Sequence, residues 1–159
     1  MSVRMSDEDE KKAAALIGHY PQKRAAIGDV LYMAQKNFGH LGPEVELYVA
    51  GLLDLPVTYG HQVVTFYNMY LKKPVGRNLI MLCDNVSCSL CGAAGLVEHI
   101  SKKLGIGPGE TTEDDKFTLW TVECLGACVN APMMQINDDY YEDLTAESAT
   151  AVLEALAKG

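Results

Sequence analysis

Five cysteines stand in two clusters of a 159-residue chain: Cys83, Cys88 and Cys91 in "CDNVSCSLC", then Cys124 and Cys128 in "CLGAC". A centre held only by cysteine takes four thiolates, so the chemistry depends on which four act together. Clustered thiols in a chain with no sign of export read as metal ligands or redox groups rather than structural disulfides. The odd number also argues against complete pairing.

Four groupings are open. Cys88 and Cys91 form a C-x-x-C at the expected start of a helix, whose N-terminus would stabilise a thiolate as in dithiol oxidoreductases; Cys83, Cys124 and Cys128 are then left without a role. Cys83, Cys88 and Cys91 have the C-x4-C-x2-C spacing of plant-type ferredoxins, but those need one distant ligand and two cysteines stand downstream here. Cys88, Cys91, Cys124 and Cys128 approach the paired spacing of a four-cysteine zinc site, which would make the chain a zinc-stabilised interaction module. The long apolar helix expected after Cys91 fits a zinc ribbon poorly.

The fourth grouping pairs Cys83 with Cys88 and Cys124 with Cys128. Each strand end then delivers two thiolates, the loop "DNVS" is wide enough to carry the backbone around an inorganic cluster, and Gly126 with Ala127 keeps bulk away from bridging sulfides. Cys91, on the first turn of the following helix, is expected to be a small buried side chain. Such a binuclear centre carries a formal charge of about −2, falling to about −3 on reduction, so burial and N–H donors set its potential.

The elements that must position these thiols change character along the chain. Residues 1–75 read as a small helical domain with apolar stripes at Ile27, Val30, Leu31 and Ala34, at Val45, Tyr48, Val49 and Leu52, and at Val63, Phe66, Tyr67 and Tyr70. The aromatics Tyr48, Phe66, Tyr67 and Tyr70 are expected in its core. His19, His40 and His61 are expected near helix ends, with no second ligand at useful spacing. Pro74 and Gly76 mark the joint. Residues 76–159 read as an α/β domain in the order strand, helix, strand, hairpin, helix. Its strands are "NLIMLC" and "KFTLWTVEC", the hairpin turns at Asp138 and Asp139, and one helix carries Ala93, Leu96, Val97, Ile100 and Leu104 to Gly105. Thr145 opens a last helix with Ala149, Val152, Leu153 and Leu156. A strand, helix and second strand imply a parallel crossover, and a thioredoxin-like layer fits the order.

Bulk properties narrow the function. With 48% hydrophobic residues the chain can build one cored domain or two small ones. No apolar run approaches the roughly 20 residues of a membrane helix, and "MSVRMSDEDEKK" lacks a signal-peptide core, so neither insertion nor export is expected. A net charge of −8 without a Lys/Arg stripe leaves no footprint for nucleic acid.

The segments "HQVVTFYNMYLKKPVGRNLIMLCDNVSC" and "GIGPGETTEDDKFTLWTVECLGACVNAPMMQINDDYYEDLT" resemble the thioredoxin-like [2Fe-2S] ferredoxin family, which includes the E, or 24 kDa, component of NADH-quinone oxidoreductase, respiratory complex I. The likeness covers nearly the whole chain. It implies a thioredoxin-like domain preceded by a small helical domain, and one [2Fe-2S] cluster on Cys83, Cys88, Cys124 and Cys128, with Cys91 outside the ligand pattern. It implies electron transfer as part of an oxidoreductase, with FMN and NADH bound only by a partner, the flavin-bearing F subunit. The cluster is implied to exchange one electron with that flavin, set apart from the centres leading to quinone. The absence of a G-x-G-x-x-G fingerprint agrees with a chain that does not oxidise NADH alone. A cytoplasmic position, peripheral to the inner membrane within the complex, is implied too. Related diaphorase subunits of NAD-linked hydrogenases and formate dehydrogenases would serve the same chemistry.

Overall fold

The computed structural model describes residues 3–158, which divide into two units between Pro74 and Val75. The first is built from helices α1 (Asp7–Gly18), α2 (Ile27–Phe38), α3 (Pro43–Leu53) and α4 (Val57–Phe66). Ser6 starts α1 by accepting the Asp9 N–H at 3.1 Å, and four acidic residues in the first turn oppose the helix dipole. Arg4 folds back onto Glu10 at 3.0 and 2.8 Å, while the Tyr48 hydroxyl of α3 donates to the same carboxylate at 2.6 Å. The acidic start of the chain is thereby fastened to α3. The stripe Ile27, Val30, Leu31 and Ala34 is buried as its spacing predicts, and α2 stops at Gly39, whose φ of 79° favours glycine. Val45, Val49 and Leu53 of α3 complete the core with Leu41, Val64 and Tyr70.

Two expectations for this unit are corrected. The third stripe does not continue as a helix: α4 ends at Phe66, and Tyr67 turns to extended backbone with φ −92° and ψ 120°. Beyond that point a 3.6-residue period no longer decides which side chain faces inward. Val64 and Tyr70 enter the core, whereas Phe66 and Tyr67 lie on the surface. His61 sits within α4 rather than at its end, with Nδ1 2.9 Å from the carboxylate of buried Glu46 on α3, to which the ring gives a partner.

The second unit runs β1 (Asn78–Cys83), α5 (Val86–Leu90), α6 (Ala93–Leu104), β2 (Phe117–Val122), β3 (Met134–Ile136), β4 (Asp139–Tyr141) and α7 (Ala146–Lys158). The sheet order is β2-β1-β3-β4, with β1 and β2 parallel and the other two pairings antiparallel. A parallel pair needs a crossover, which α5 and α6 provide. Ala93, Leu96 and Ile100 of α6 and Ala149 and Leu153 of α7 share one core with Ile80, Leu82, Leu119 and Met134 of the sheet. Each large side chain buried there contributes about 1.5–3 kcal/mol. The hairpin turns one residue earlier than expected. Ile136 pairs with Asp139, so the turn is Asn137–Asp138, and Asn137 takes the left-handed backbone (φ 53°) that asparagine tolerates.

Gly76 fixes the entry into β1. Its N–H donates to Thr118 Oγ1 at 2.6 Å, and a Cβ there would stand 2.8 Å from the Phe117 carbonyl carbon. The backbone passes so closely that a methyl group has no room.

Candidate metal centre

Because β1 and β2 are parallel and Cys83 pairs with Val122, the chain leaves both strands at the same edge of the sheet. The first exit carries Cys83, Cys88 and Cys91, the second Cys124 and Cys128. Cys83 ends β1 as a buried residue, its N–H donating to the Met133 carbonyl at 3.2 Å. Asn85 then caps α5 by accepting the Val86 N–H at 2.9 Å, and Ser89 Oγ donates to the Asp84 carbonyl at 2.6 Å. That turn directs Cys88 inward, where it too is buried. The segment expected as an open loop is therefore partly helical.

Cys91 corrects a further expectation. It closes α5 rather than opening α6, because Gly92, at φ 93°, breaks the chain between the two helices. Its side chain is exposed, not buried. The C-x-x-C at Cys88 and Cys91 thus has one thiol inside and one outside.

Cys124 and Cys128 are exposed with their sulfurs 3.3 Å apart, and the Gly126 N–H donates to Cys124 Sγ at 3.4 Å. Gly126 has φ 92° and a Cβ there would meet no atom within 4 Å, so backbone conformation rather than crowding demands glycine. The Tyr140 hydroxyl of β4 donates to the Leu125 carbonyl at 2.7 Å, and Asn130 Nδ2 donates to Asp143 at 3.0 Å. Both hold the second loop against the hairpin. The loops are also joined to each other, since Asn85 Nδ2 donates to the Glu123 carboxylate, and the nearby Ser87 hydroxyl lowers the Cys128 thiol somewhat.

The thiols influence one another across the loops. Burial pushes the Cys88 thiol up, and its hydrogen bond to Cys83 and the nearness of Cys128 add to this. Cys124 is held below its ordinary value by the hydrogen bond from Cys128 and then by the Gly126 N–H. Cys128, donating to Cys124, is raised, and the Cys83 charge also reaches it. Cys83, Cys88, Cys124 and Cys128 thus lie near enough to act on one another, two brought by each strand end. Sequence reading missed Tyr140, whose contact lies 15 positions from its partner and leaves no local signal. It missed Ser87 and Glu123 for the same reason, while the Asn85 cap was readable in kind.

Among the described residues, no group of three or more His, Cys, Asp or Glu side chains is gathered as a holder of a single ion. Four soft thiol donors brought by two strand ends, with an N–H aimed at one sulfur, have the donor type and number that a binuclear iron–sulfur group would take. The family model described as thioredoxin-like [2Fe-2S] ferredoxin matches residues 13–157. The chain belongs to that family.

Among relatives of this ferredoxin, one of the E subunits of NADH-quinone oxidoreductase from Rhizobium meliloti is 47% identical over 152 residues, covering 95% of this chain and 89% of that protein. The E subunit of NADH-quinone oxidoreductase from Rickettsia bellii is 46% identical over 147 residues, covering 91% and 88%. The crystal structure of an NAD+-reducing [NiFe]-hydrogenase in the air-oxidized state matches with a TM-score of 0.70 and 23% identity, over 81% of this ferredoxin and 23% of the hydrogenase chain. That likeness shows the α/β, thioredoxin-like fold with its helical N-terminal region. No helix among the described residues is long and apolar enough to cross a membrane.

Proposed function

We propose that this ferredoxin is the electron-transfer subunit of an NADH-quinone oxidoreductase, holding one [2Fe-2S] cluster on Cys83, Cys88, Cys124 and Cys128. The observation that carries the reading is the convergence of two thiol pairs from the ends of parallel strands, with Cys91 turned outward. When bound, the cluster would supply reversible one-electron chemistry, exchanged in this reading with the flavin of the partner. The chain's own residues hold the sulfurs. Cys83 and Cys88 do so from the buried side, Cys124 and Cys128 from the exposed side, and the Gly126 N–H and Ser87 hydroxyl ease the negative charge that reduction adds.

The exposed second pair makes the site accessible to a partner, in this reading the flavin- and NADH-binding F subunit, which alone carries FMN and oxidises NADH. Val86, Leu90 and Val129, exposed beside the thiols, give that partner an apolar surface to cover. The helical part, which ends at Pro74, serves to dock, and the assembly lies on the cytoplasmic side, peripheral to the membrane. The fold likeness to an NAD+-reducing hydrogenase supports a second reading, an equivalent diaphorase subunit, which the identity of the subunits copurifying from the native source separates from the first.

Protein purified without oxygen should be red-brown and contain iron and acid-labile sulfide in about equal amounts. It should show a rhombic resonance after dithionite reduction. A colourless chain with stoichiometric zinc would replace this reading with a zinc-stabilised module.

A further inference from the structure

The surface of the helical unit carries an apolar feature that holding a cluster does not require. Where α4 ends, Phe66 is 80% exposed, Tyr67 48% and Met69 46%. Phe66 and Tyr67 meet edge to face with centroids 4.9 Å apart, Tyr67 meets Tyr70 at 6.4 Å, and Tyr70 meets exposed Tyr32 at 5.9 Å. Tyr70 lies beneath as a buried ring that joins the exposed Phe66–Tyr67 pair to Tyr32.

The apolar feature is held in place from beneath. Tyr70 is buried and its hydroxyl donates to the Gly28 carbonyl at 3.1 Å. Gln35 Nε2 donates to the Met69 carbonyl at 3.2 Å, its Oε1 accepts the Leu71 N–H at 2.7 Å, and the Leu71 carbonyl accepts the Leu41 N–H at 2.7 Å. Aromatic side chains on so anchored a backbone lose little freedom when covered, which is the character of interface anchors. A contiguous exposed patch of this kind marks a surface that another molecule covers.

Charge points to the occupant. Lys72 and Lys73 follow directly, both exposed and in no ion pair among the described residues, on a chain whose net charge is −8. A second copy is a poor match: a two-fold contact would set the patch against itself, lysines near lysines, while bringing together two acidic chains. An apolar hollow flanked by Asp or Glu satisfies both halves of the surface.

We infer that Phe66, Tyr67 and Met69, edged by Lys72 and Lys73, are the surface on which the helical unit docks the flavin-bearing partner subunit, which meets them with an apolar hollow flanked by carboxylates. The electron-transfer reading above supplies the identity of that partner; the patch itself stands on the geometry.

The test titrates the full-length chain with the purified flavoprotein, using wild type, a Phe66→Ala, Tyr67→Ala double variant and a Lys72→Glu, Lys73→Glu double variant. The aromatic variant should bind about tenfold or more weakly. The charge-reversed variant should associate more slowly at low salt and lose most of the salt dependence of its on-rate. Both should keep wild-type iron, sulfide and reduced-state resonance. Unchanged binding by both variants overturns the inference, as does wild-type self-association that the aromatic substitutions abolish. Failure of the flavoprotein to bind the wild-type chain overturns it together with the electron-transfer reading. Binding to a chain that lacks iron and sulfide sinks that reading alone.

Discussion

The sulfurs of Cys124 and Cys128 lie 3.3 Å apart on a loop whose middle glycine points its N–H at the first of them. At the same sheet edge stand the buried Cys83 and Cys88, near enough for Cys128 to act on Cys88, while Cys91 is exposed. Thiol substitutions should therefore divide sharply. Cys124→Ser should abolish or severely destabilise the cluster, read as loss of iron, sulfide and visible absorbance, while Cys91→Ser should retain all three. The reverse result would restore a grouping that includes Cys91.

Tyr140 acts on the site without touching a thiol. Its hydroxyl holds the Leu125 carbonyl at 2.7 Å, one residue from Cys124. Tyr140→Phe keeps the ring and removes only that bond, a loss of about 1 kcal/mol or less for so exposed a group. The cluster should still assemble but release iron to a chelator severalfold faster than wild type. An unchanged release rate would show that the loop holds itself.

How much of this is legible in the sequence follows the range of each interaction. The stripe Ile27, Val30, Leu31 and Ala34, the helix from Ala93 to Leu104 and the strand ending at Cys83 can be read because their signals are periodic and local, while the strand expected to run to Cys124 stops at Val122 and leaves that cysteine in the loop. Phe66 and Tyr67 escape such a reading because a helix that stops at Phe66 leaves no stop signal as strong as the glycine at Gly39. Cys91 is turned outward by a single left-handed residue, Gly92, whose conformation spacing alone does not place. The contacts of Ser87, Glu123 and Tyr140 join positions far apart in the chain, and only the folded sheet brings them to the thiols.

Gly76→Ala sets two effects against each other. Removing glycine from the unfolded ensemble stabilises by about 0.4–1 kcal/mol. The added methyl, 2.8 Å from one Phe117 backbone atom and 2.9 Å from another, cannot be accommodated by a side chain moving away, so β1 must shift against β2. Overpacking of this sort costs about 1–3 kcal/mol and should win. Urea denaturation should show a lower midpoint with an unchanged slope. A midpoint at or above wild type would mean that the strand entry yields freely.

The bracket of Arg4, Glu10 and Tyr48 predicts a pH dependence of known sign. The hydrogen bond from Arg4, then that from Tyr48, lowers the Glu10 carboxyl from 4.5 to about 2. A carboxyl lowered on folding contributes stability that is complete above its unfolded value and lost as pH falls through its folded one. Asp9, Glu98, Asp114, Glu147 and Glu154 are lowered as well, so acid destabilisation of the wild type alone would not identify Glu10. The difference between wild type and Glu10→Gln does. Gln keeps the size and can still accept from Tyr48, but it loses the ion pair with Arg4. Its melting temperature should lie below wild type at neutral pH, and the gap should shrink as pH falls from about 5 toward about 2. A gap that stayed constant would assign the loss to packing or neutral hydrogen bonding, and the charge of Glu10 would then have no part in fastening the N-terminal segment to α3.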